Sequence, residues 1–236
     1  AKVAAIRRWV LGICMLGLGV CVSLLIFGIH SITRDDDPID AAEIVRAQEE
    51  MSKAYRADPV QTRSSTLEKM RRDPENASSQ LRNLAFAERN EISKLPTNQV
   101  QAVASKALEA QLAGMKILEG QPPHGLAQLF GRTLEYDWQN VLKIAILAKR
   151  SDLIREHAKG WAESGGFGPL ADDAQRHAGY QFLGWAALVD GDVDAAAENL
   201  RRSGDFMSAP TLESFGPSTE LADALLKKDR FADVIA

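Results

Sequence analysis

One unbroken apolar run lies near the start of the chain, whereas all later apolar residues recur among polar ones with a helical period. From Trp9 to Ile29 there are 21 consecutive residues without a charged side chain. A helix of that length spans roughly 30 Å, the thickness of the hydrocarbon core of a bilayer. The run therefore predicts an uncleaved transmembrane helix over residues 9–30. The alternative is a cleaved signal peptide, whose apolar region is normally about 7–15 residues long.

The charges that flank this run predict its orientation. The bases Lys2, Arg7 and Arg8 precede it, and no acidic residue occurs before Asp35. An excess of Lys and Arg on one side of a span marks the cytoplasmic side. We therefore expect residues 1–8 to form a short cytoplasmic N-terminus and the rest of the chain to be exported.

Small residues recur along the predicted span and would let a second membrane helix approach closely. Gly19 and Ser23 are four positions apart, as are Gly17 and Cys21. Glycine is also frequent in membrane helices in general, so both explanations stay open. The candidate residues for packing of the membrane helix are Gly12, Gly17, Gly19, Cys21 and Ser23.

Three Asp-Pro pairs mark expected helix starts in the part of the chain that follows. In each pair the Asp side chain can accept from the free amides of the first turn, and the proline fits the first helical position. The pairs are Asp37-Pro38, Asp58-Pro59 and Asp73-Pro74. Together with the apolar stripes behind them, they predict helices over residues 38–57, 59–71 and 74–94.

From residue 96 onward the apolar positions recur at close to 3.6 residues, and no segment shows the alternation of a β-strand. A long helix follows Pro96 and ends before Gly120. Further helices are predicted over residues 124–134, 138–149, 152–163, 171–189, 193–202, 218–228 and 230–236. The sequence therefore predicts an all-α fold. Residues 31–95 would be a helical stalk or divergent first repeats, and residues 96–236 a helical repeat domain.

Two helical hairpins in this domain align at an offset of 38 residues. The segment Leu183–Leu188 corresponds to Leu221–Leu226, and each is followed by a turn and a second helix. A fainter copy occurs at Leu142–Ile154. A shared period across hairpins is typical of a solenoid in which each repeat packs on its neighbours.

The residues at the packing positions of these hairpins resemble the tetratricopeptide repeat. That family has Leu-Gly on the first helix, Gly in the turn and a small residue on the second helix, although any antiparallel helix pair with a glycine turn has a similar pattern. The resemblance implies a tetratricopeptide-like solenoid, which would follow the transmembrane helix predicted from the apolar run. It assigns repeat-packing roles to Tyr180, Leu183, Gly184, Gly191, Ala196, Leu200, Leu221 and Leu225.

A second resemblance covers the chain from His177 to its end. It is similar to a segment that recurs at the end of repeat-containing bacterial proteins of unassigned function, and it implies a bacterial origin. With the flanking charges of the span, it implies a single-pass protein of the bacterial inner membrane whose C-terminal domain is periplasmic. The residues that carry it are His177-Ala178-Gly179-Tyr180, Gly191-Asp192, Ser208-Ala209-Pro210, Ser214-Phe215-Gly216-Pro217, Leu221-Ala222 and Leu225.

Composition and spacing exclude several kinds of site. The net charge of -4 argues against a nucleic-acid binder with a generally basic surface. Asp190, Asp192 and Asp194 imitate the start of a calcium loop but lack the Gly and Glu needed at its sixth and twelfth positions. Asp173 and His177 are one turn apart, and two ligands do not make a metal site. We therefore expect no catalytic residue, no cofactor and no metal.

These expectations describe a membrane-anchored periplasmic scaffold or accessory subunit that binds partner proteins and is not an enzyme. Its partners would be subunits of a bacterial envelope or membrane complex, contacted through the transmembrane helix and the helical repeat, with the lipid bilayer around the span. The alternative is an enzyme or cofactor-binding subunit whose site forms only in the folded chain or at an interface.

Overall fold

The computed structural model describes residues 41–121, 134–164, 173–206 and 219–235. The chain divides into two compact units, Ala1–Ile44 and Val45–Ala236, and the packing below is that of the second unit. Every regular element in the described ranges is an α-helix. In chain order the helices are α1 (Ala41–Ala57), α2 (Pro59–Arg72), α3 (Ala77–Ile92), α4 (Thr97–Glu119), α5 (Glu135–Leu147), α6 (Ser151–Ser164), α7 (Asp173–Asp190), α8 (Val193–Gly204), α9 (Glu220–Leu226) and α10 (Phe231–Ile235).

Helices α3 to α10 pack as four successive hairpins, α3–α4, α5–α6, α7–α8 and α9–α10. The second helix of each hairpin also contacts the first helix of the next hairpin. The first helices α3, α5, α7 and α9 contact one another in that order. They form one layer, which we call the first-helix layer. This pattern of neighbour contacts is that of a stacked helical array.

Apolar side chains on the facing sides of the helices fill the space between the hairpins. A larger cluster extends from α2 to α7 and includes the fully buried Leu81, Leu142 and Ile154. A smaller cluster joins α7, α8 and α9 through Ala196 and Leu221, which are also fully buried. Full burial of one Leu or Ile side chain contributes roughly 1.5–3 kcal/mol. These two clusters therefore hold adjacent hairpins together.

Three of the hairpin turns share one backbone geometry. Each contains a residue with positive φ, namely Lys149 at 57°, Gly191 at 85° and Asp229 at 60°. The N–H of the next residue donates to a carbonyl five positions earlier, with N···O distances of 2.9, 2.9 and 3.1 Å. This is the bond that closes a helix in a Schellman motif. The two helices of each of the hairpins α5–α6, α7–α8 and α9–α10 are therefore connected by the same type of turn.

We expect Gly191→Ala to lower the free energy of unfolding by about 1 kcal/mol, because a Cβ disfavours the left-handed conformation. Among the described residues nothing outside the turn lies within 4 Å of an added Cβ, so the cost comes from the backbone. The converse change, Asp229→Gly, is expected to stabilise the protein by up to about 1 kcal/mol. Urea denaturation measures both changes. A Gly191→Ala variant as stable as the wild type would contradict the turn geometry.

The predicted membrane anchor is corrected by this structure. None of the helices in the described ranges is both long and apolar enough to cross a membrane. The longest, α4, has 23 residues but carries the charged residues Lys106, Glu109, Lys116 and Glu119, and charges at bilayer depth are costly. The described fold is thus all-α without a transmembrane helix, and the single-pass inner-membrane localisation is not supported. Residues 9–30, on which that prediction rests, lie outside the described residues.

Only one of the Asp-Pro helix starts is capped as predicted in the described ranges. The Asp58 carboxylate accepts from a first-turn amide of α2 at 2.9 Å. Helix α3 instead begins at Ala77, and Asp73 accepts from the Asn76 side chain at 2.9 Å. The Asp73 side chain is therefore engaged before the helix begins. Asp37 lies outside the described residues. Between residues 97 and 235 the described helices start and end within three residues of the predicted bounds.

Candidate functional site

A groove with a volume of about 330 Å³ opens on the first-helix layer. All four first helices contribute to its walls. Its lining residues are Arg89 from α3, Lys143, Ile146 and Leu147 from α5, Trp185 from α7, Glu220 and Asp223 from α9, and Lys227 directly after α9. We call it the first-helix groove.

Helical periodicity places several of these side chains on one face of each helix. On α5, Ile146 and Leu147 lie three and four positions after Lys143 and so face the same side. The indole of Trp185 is half-buried and packs against the smaller core cluster. A wall anchored in the core keeps its shape, so the groove has a preformed apolar part.

An ion pair joins the two sides of the first-helix groove. The Lys143 Nζ lies 3.1 Å from Glu220 Oε1, and the side chains are 30% and 50% exposed. Lys143 belongs to α5 and Glu220 to α9, so the pair connects two hairpins that are not adjacent in the array. Helix α7, which carries Trp185, lies between them in the order of contacts.

The charges in the groove are segregated. Helices α3 and α5 contribute two cations, Arg89 and Lys143, and no acid to the lining. Helix α9 contributes Glu220 and Asp223, and Lys227 follows its last residue. In the part of the chain that the structure describes, Arg89 has no acidic side chain within ion-pair distance. The groove therefore has a cationic side and a side that carries its acids.

Exposed aromatic side chains continue the same layer toward its α3 end. Phe86 lies one turn before Arg89 on α3, and Tyr136 lies two turns before Lys143 on α5, and both rings are exposed. The Arg82 guanidinium lies 5.6 Å from the centroid of the Tyr136 ring. Aromatic and Arg side chains are enriched at protein interfaces, so this surface extends the candidate site beyond the groove.

Most of the predicted repeat-packing residues lie at or beside the contacts between α7, α8 and α9. A Cβ added to Gly184 would be 2.4 Å from Leu221 Cδ2 and 3.3 Å from the Ala196 carbonyl oxygen. The Tyr180 ring stacks on Phe206 with centroids 5.7 Å apart. Ala196, Leu221 and Leu225 are fully buried, Leu183 packs on the larger core cluster, Leu200 packs on the smaller one, and Gly191 occupies the turn. Trp185 packs against the same cluster as Ala196, Leu221 and Leu225.

The five candidate residues of the predicted membrane helix lie outside the described residues. The structure instead adds a close contact that the sequence did not predict. A Cβ on Gly179 would lie 2.4 Å from the backbone nitrogen of Ala162, so α7 crosses α6 at backbone distance. The groove residues were also missed, because a half-buried Trp and scattered charges have no distinctive spacing along one helix.

The side chains that the sequence analysis weighed as metal ligands each bond to a different protein group. Asp190 bonds the Ser151 hydroxyl at 2.6 Å, Asp192 caps α8 at 2.9 Å and Asp194 pairs with Arg230. His177 donates through Nδ1 to the Ser203 carbonyl at 3.0 Å. Within the described ranges no three His, Cys, Asp or Glu side chains are grouped as metal ligands would be.

A buried carboxylate links the first four helices next to the groove. Glu88 is fully buried and accepts from Arg63 Nε at 2.7 Å and from Gln111 Nε2 at 2.8 Å. The same guanidinium donates to the Tyr55 hydroxyl. Burial raises the pKa of Glu88 to about 7, and hydrogen bonds from Arg63 and Gln111 oppose the rise. This cluster joins α1, α2, α3 and α4, and it precedes the groove residue Arg89 by one position.

Comparison with known protein families, curated proteins and solved structures finds no match for this chain. Its function must therefore be argued from the first-helix groove and the surface around it.

Proposed function

We propose that this protein is a tetratricopeptide-like scaffold or accessory subunit that binds a segment of a partner protein in the first-helix groove. One observation carries the proposal. The groove is lined by the first helices of four consecutive hairpins, and stacked helical repeats use such an extended surface for binding.

The size and chemistry of the groove fit a short polypeptide segment. A volume of about 330 Å³ is at the lower end of the range for ligand sites. Ile146, Leu147 and Trp185 offer an apolar wall, and charged side chains surround it. An apolar centre with a polar rim is the usual composition of a protein interface.

The lining residues favour binding over catalysis. They include no Cys, Ser or Thr as a nucleophile and no His as a general base, and the Lys143 and Glu220 side chains pair with each other. The groove cations and acids are instead placed to recognise charges on a bound segment. We therefore assign the groove a recognition role.

Reversing the two cations of the groove should abolish partner capture. We expect the Arg89→Glu, Lys143→Glu double variant to capture about tenfold less partner than the wild type, or less still. The substitutions replace charges that complement the partner by charges that repel it. Quantitative mass spectrometry after affinity purification from the source cells measures the loss.

A matched control changes the same number of charges on the other layer. Lys106→Glu with Lys116→Glu alters two exposed cations of α4, which is the second helix of its hairpin. This variant should capture partners as the wild type does. Equal capture by the groove variant, the control and the wild type would refute the proposed site.

A further inference from the structure

We infer that the first-helix groove selects a segment in which an acidic, an apolar and a basic side chain follow one another, and that the Lys143–Glu220 ion pair opens to admit it. The inference rests on the proposed function and specifies the chemistry of the partner. In the free protein Lys143 and Glu220 pair with each other, and in the complex each would pair with a charge on the bound segment.

The ion pair has the features of a contact that a ligand can replace. It joins α5 to α9 over a sequence separation of 77 residues, and both side chains are partly exposed. A long Lys and a long Glu side chain in water form a weak pair. A segment that supplies a carboxylate and an ammonium exchanges one ion pair for two, so the opening of the internal pair is compensated.

The position of the remaining charges gives the direction of the segment. Its carboxylate is expected on the cationic side, where Lys143 would be freed and Arg89 has no acidic partner among the described residues. Its ammonium is expected on Glu220, with Asp223 one turn further along α9. Lys227 lies one turn beyond Asp223 and disfavours a second base there.

The apolar side chain of the segment has its own contact surface. Trp185 belongs to α7, which packs against both α5 and α9, and Ile146 and Leu147 lie on α5 beside Lys143. An apolar residue between the acid and the base of the segment would reach this wall. Two opposite charges alone would leave the wall exposed to water, which is why the segment needs all three side chains.

The test uses the full chain and three capped peptides in a Gly-Ser background. The first contains Glu, Leu and Lys at alternate positions, the second replaces its Lys by Glu, and the third replaces its Glu by Lys. Isothermal titration calorimetry at low salt should show that the first peptide binds at least about tenfold more tightly than either of the others.

The variant Glu220→Gln should reverse this order. It removes the negative charge that pairs with the basic side chain and at the same time frees Lys143, so the all-acidic peptide should become the tightest ligand. Glu109→Gln, an exposed acid on α4, is the matched control and should keep the wild-type order. Circular dichroism establishes that both variants are folded.

Two outcomes would overturn the inference. One is equal binding, or no binding, of the three peptides, and the other is an unchanged order in the Glu220→Gln variant. Either result leaves the proposed function standing if the Arg89→Glu, Lys143→Glu variant still loses its partner. If that variant also captures partners normally, the groove is not the binding site and both proposals fail.

Discussion

Replacing Gly179 by alanine is expected to lower the free energy of unfolding by about 3 kcal/mol. The added Cβ would lie 2.4 Å from the Ala162 backbone nitrogen and 2.8 Å from the Ala162 Cα. Backbone atoms cannot rotate away as the end of a side chain can. Helices α6 and α7 would have to separate, and the packing of the larger cluster between them would be disturbed. Denaturation of the full chain in urea measures the loss.

Gly160 supplies the matched control for this change. It lies in α6, two residues before Ala162, and among the described residues nothing lies within 4 Å of its added Cβ apart from its own helix. Alanine is the better helix former, so Gly160→Ala is expected to stabilise the protein by up to about 1 kcal/mol. If Gly179→Ala and Gly160→Ala had the same effect, the backbone contact between α6 and α7 would be excluded.

Removing the partner of the buried Glu88 carboxylate should have an effect of similar size. We expect Arg63→Met to lower the free energy of unfolding by about 3–5 kcal/mol near pH 8, because a buried carboxylate then has no counter-ion. Arg63 is only 12% exposed and Glu88 is fully buried. The variant also removes the donor to the Tyr55 hydroxyl, so α1 should be held less firmly.

The cost of Arg63→Met should depend on pH. Burial raises the pKa of Glu88 from 4.5 to about 7 in the folded protein. The folded state therefore binds this proton more tightly than the unfolded chain does. The resulting stabilisation is fully present below about pH 4.5 and is lost as the pH rises through about 7. We expect Arg63→Met to be tolerated better near pH 5 than near pH 8, since the Glu88 carboxyl is then neutral.

Two further variants separate this explanation from a simple loss of packing. Adding Glu88→Gln to Arg63→Met removes the buried charge. The destabilisation of the double variant relative to the wild type should then differ less between pH 5 and pH 8 than that of Arg63→Met. Arg56→Met breaks the exposed pair with Glu91, in which Arg56 is 64% exposed, and should cost less than about 1 kcal/mol. An Arg63→Met variant equally destabilised at both pH values would argue against the buried charge as the cause.

Features set by near neighbours in the chain were accessible from the sequence. The Asp58 cap depends on an amide three residues away, and the helix-closing turn at Gly191 depends on the residues around it. Apolar periodicity placed the helices of the array to within three residues between residues 97 and 235. The small residues Gly184 and Ala196 could be singled out because they match the positions of small residues in the tetratricopeptide repeat that the sequence resembles.

Asp73 marks where local reasoning was insufficient. It precedes a proline as Asp58 does, yet its carboxylate accepts from Asn76 and the helix begins at Ala77. A competing hydrogen bond to a neighbouring side chain displaced the expected cap. The predicted membrane anchor has no counterpart among the described helices, because none of them is both long and apolar enough to span a membrane.

The sequence by itself determined that the described chain is helical and that a short turn connects the two helices of a hairpin. Helix periodicity, caps and turns depend on residues a few positions apart. Only the tertiary structure decided which side chains meet. Lys143 and Glu220 are 77 positions apart, Gly179 faces the Ala162 backbone, and Glu88 is buried against Arg63 and Gln111. Such contacts depend on how helices stack and on the depth at which a charge is buried. A charged residue on one helix has the same local pattern whether it is buried, lines a groove or faces solvent.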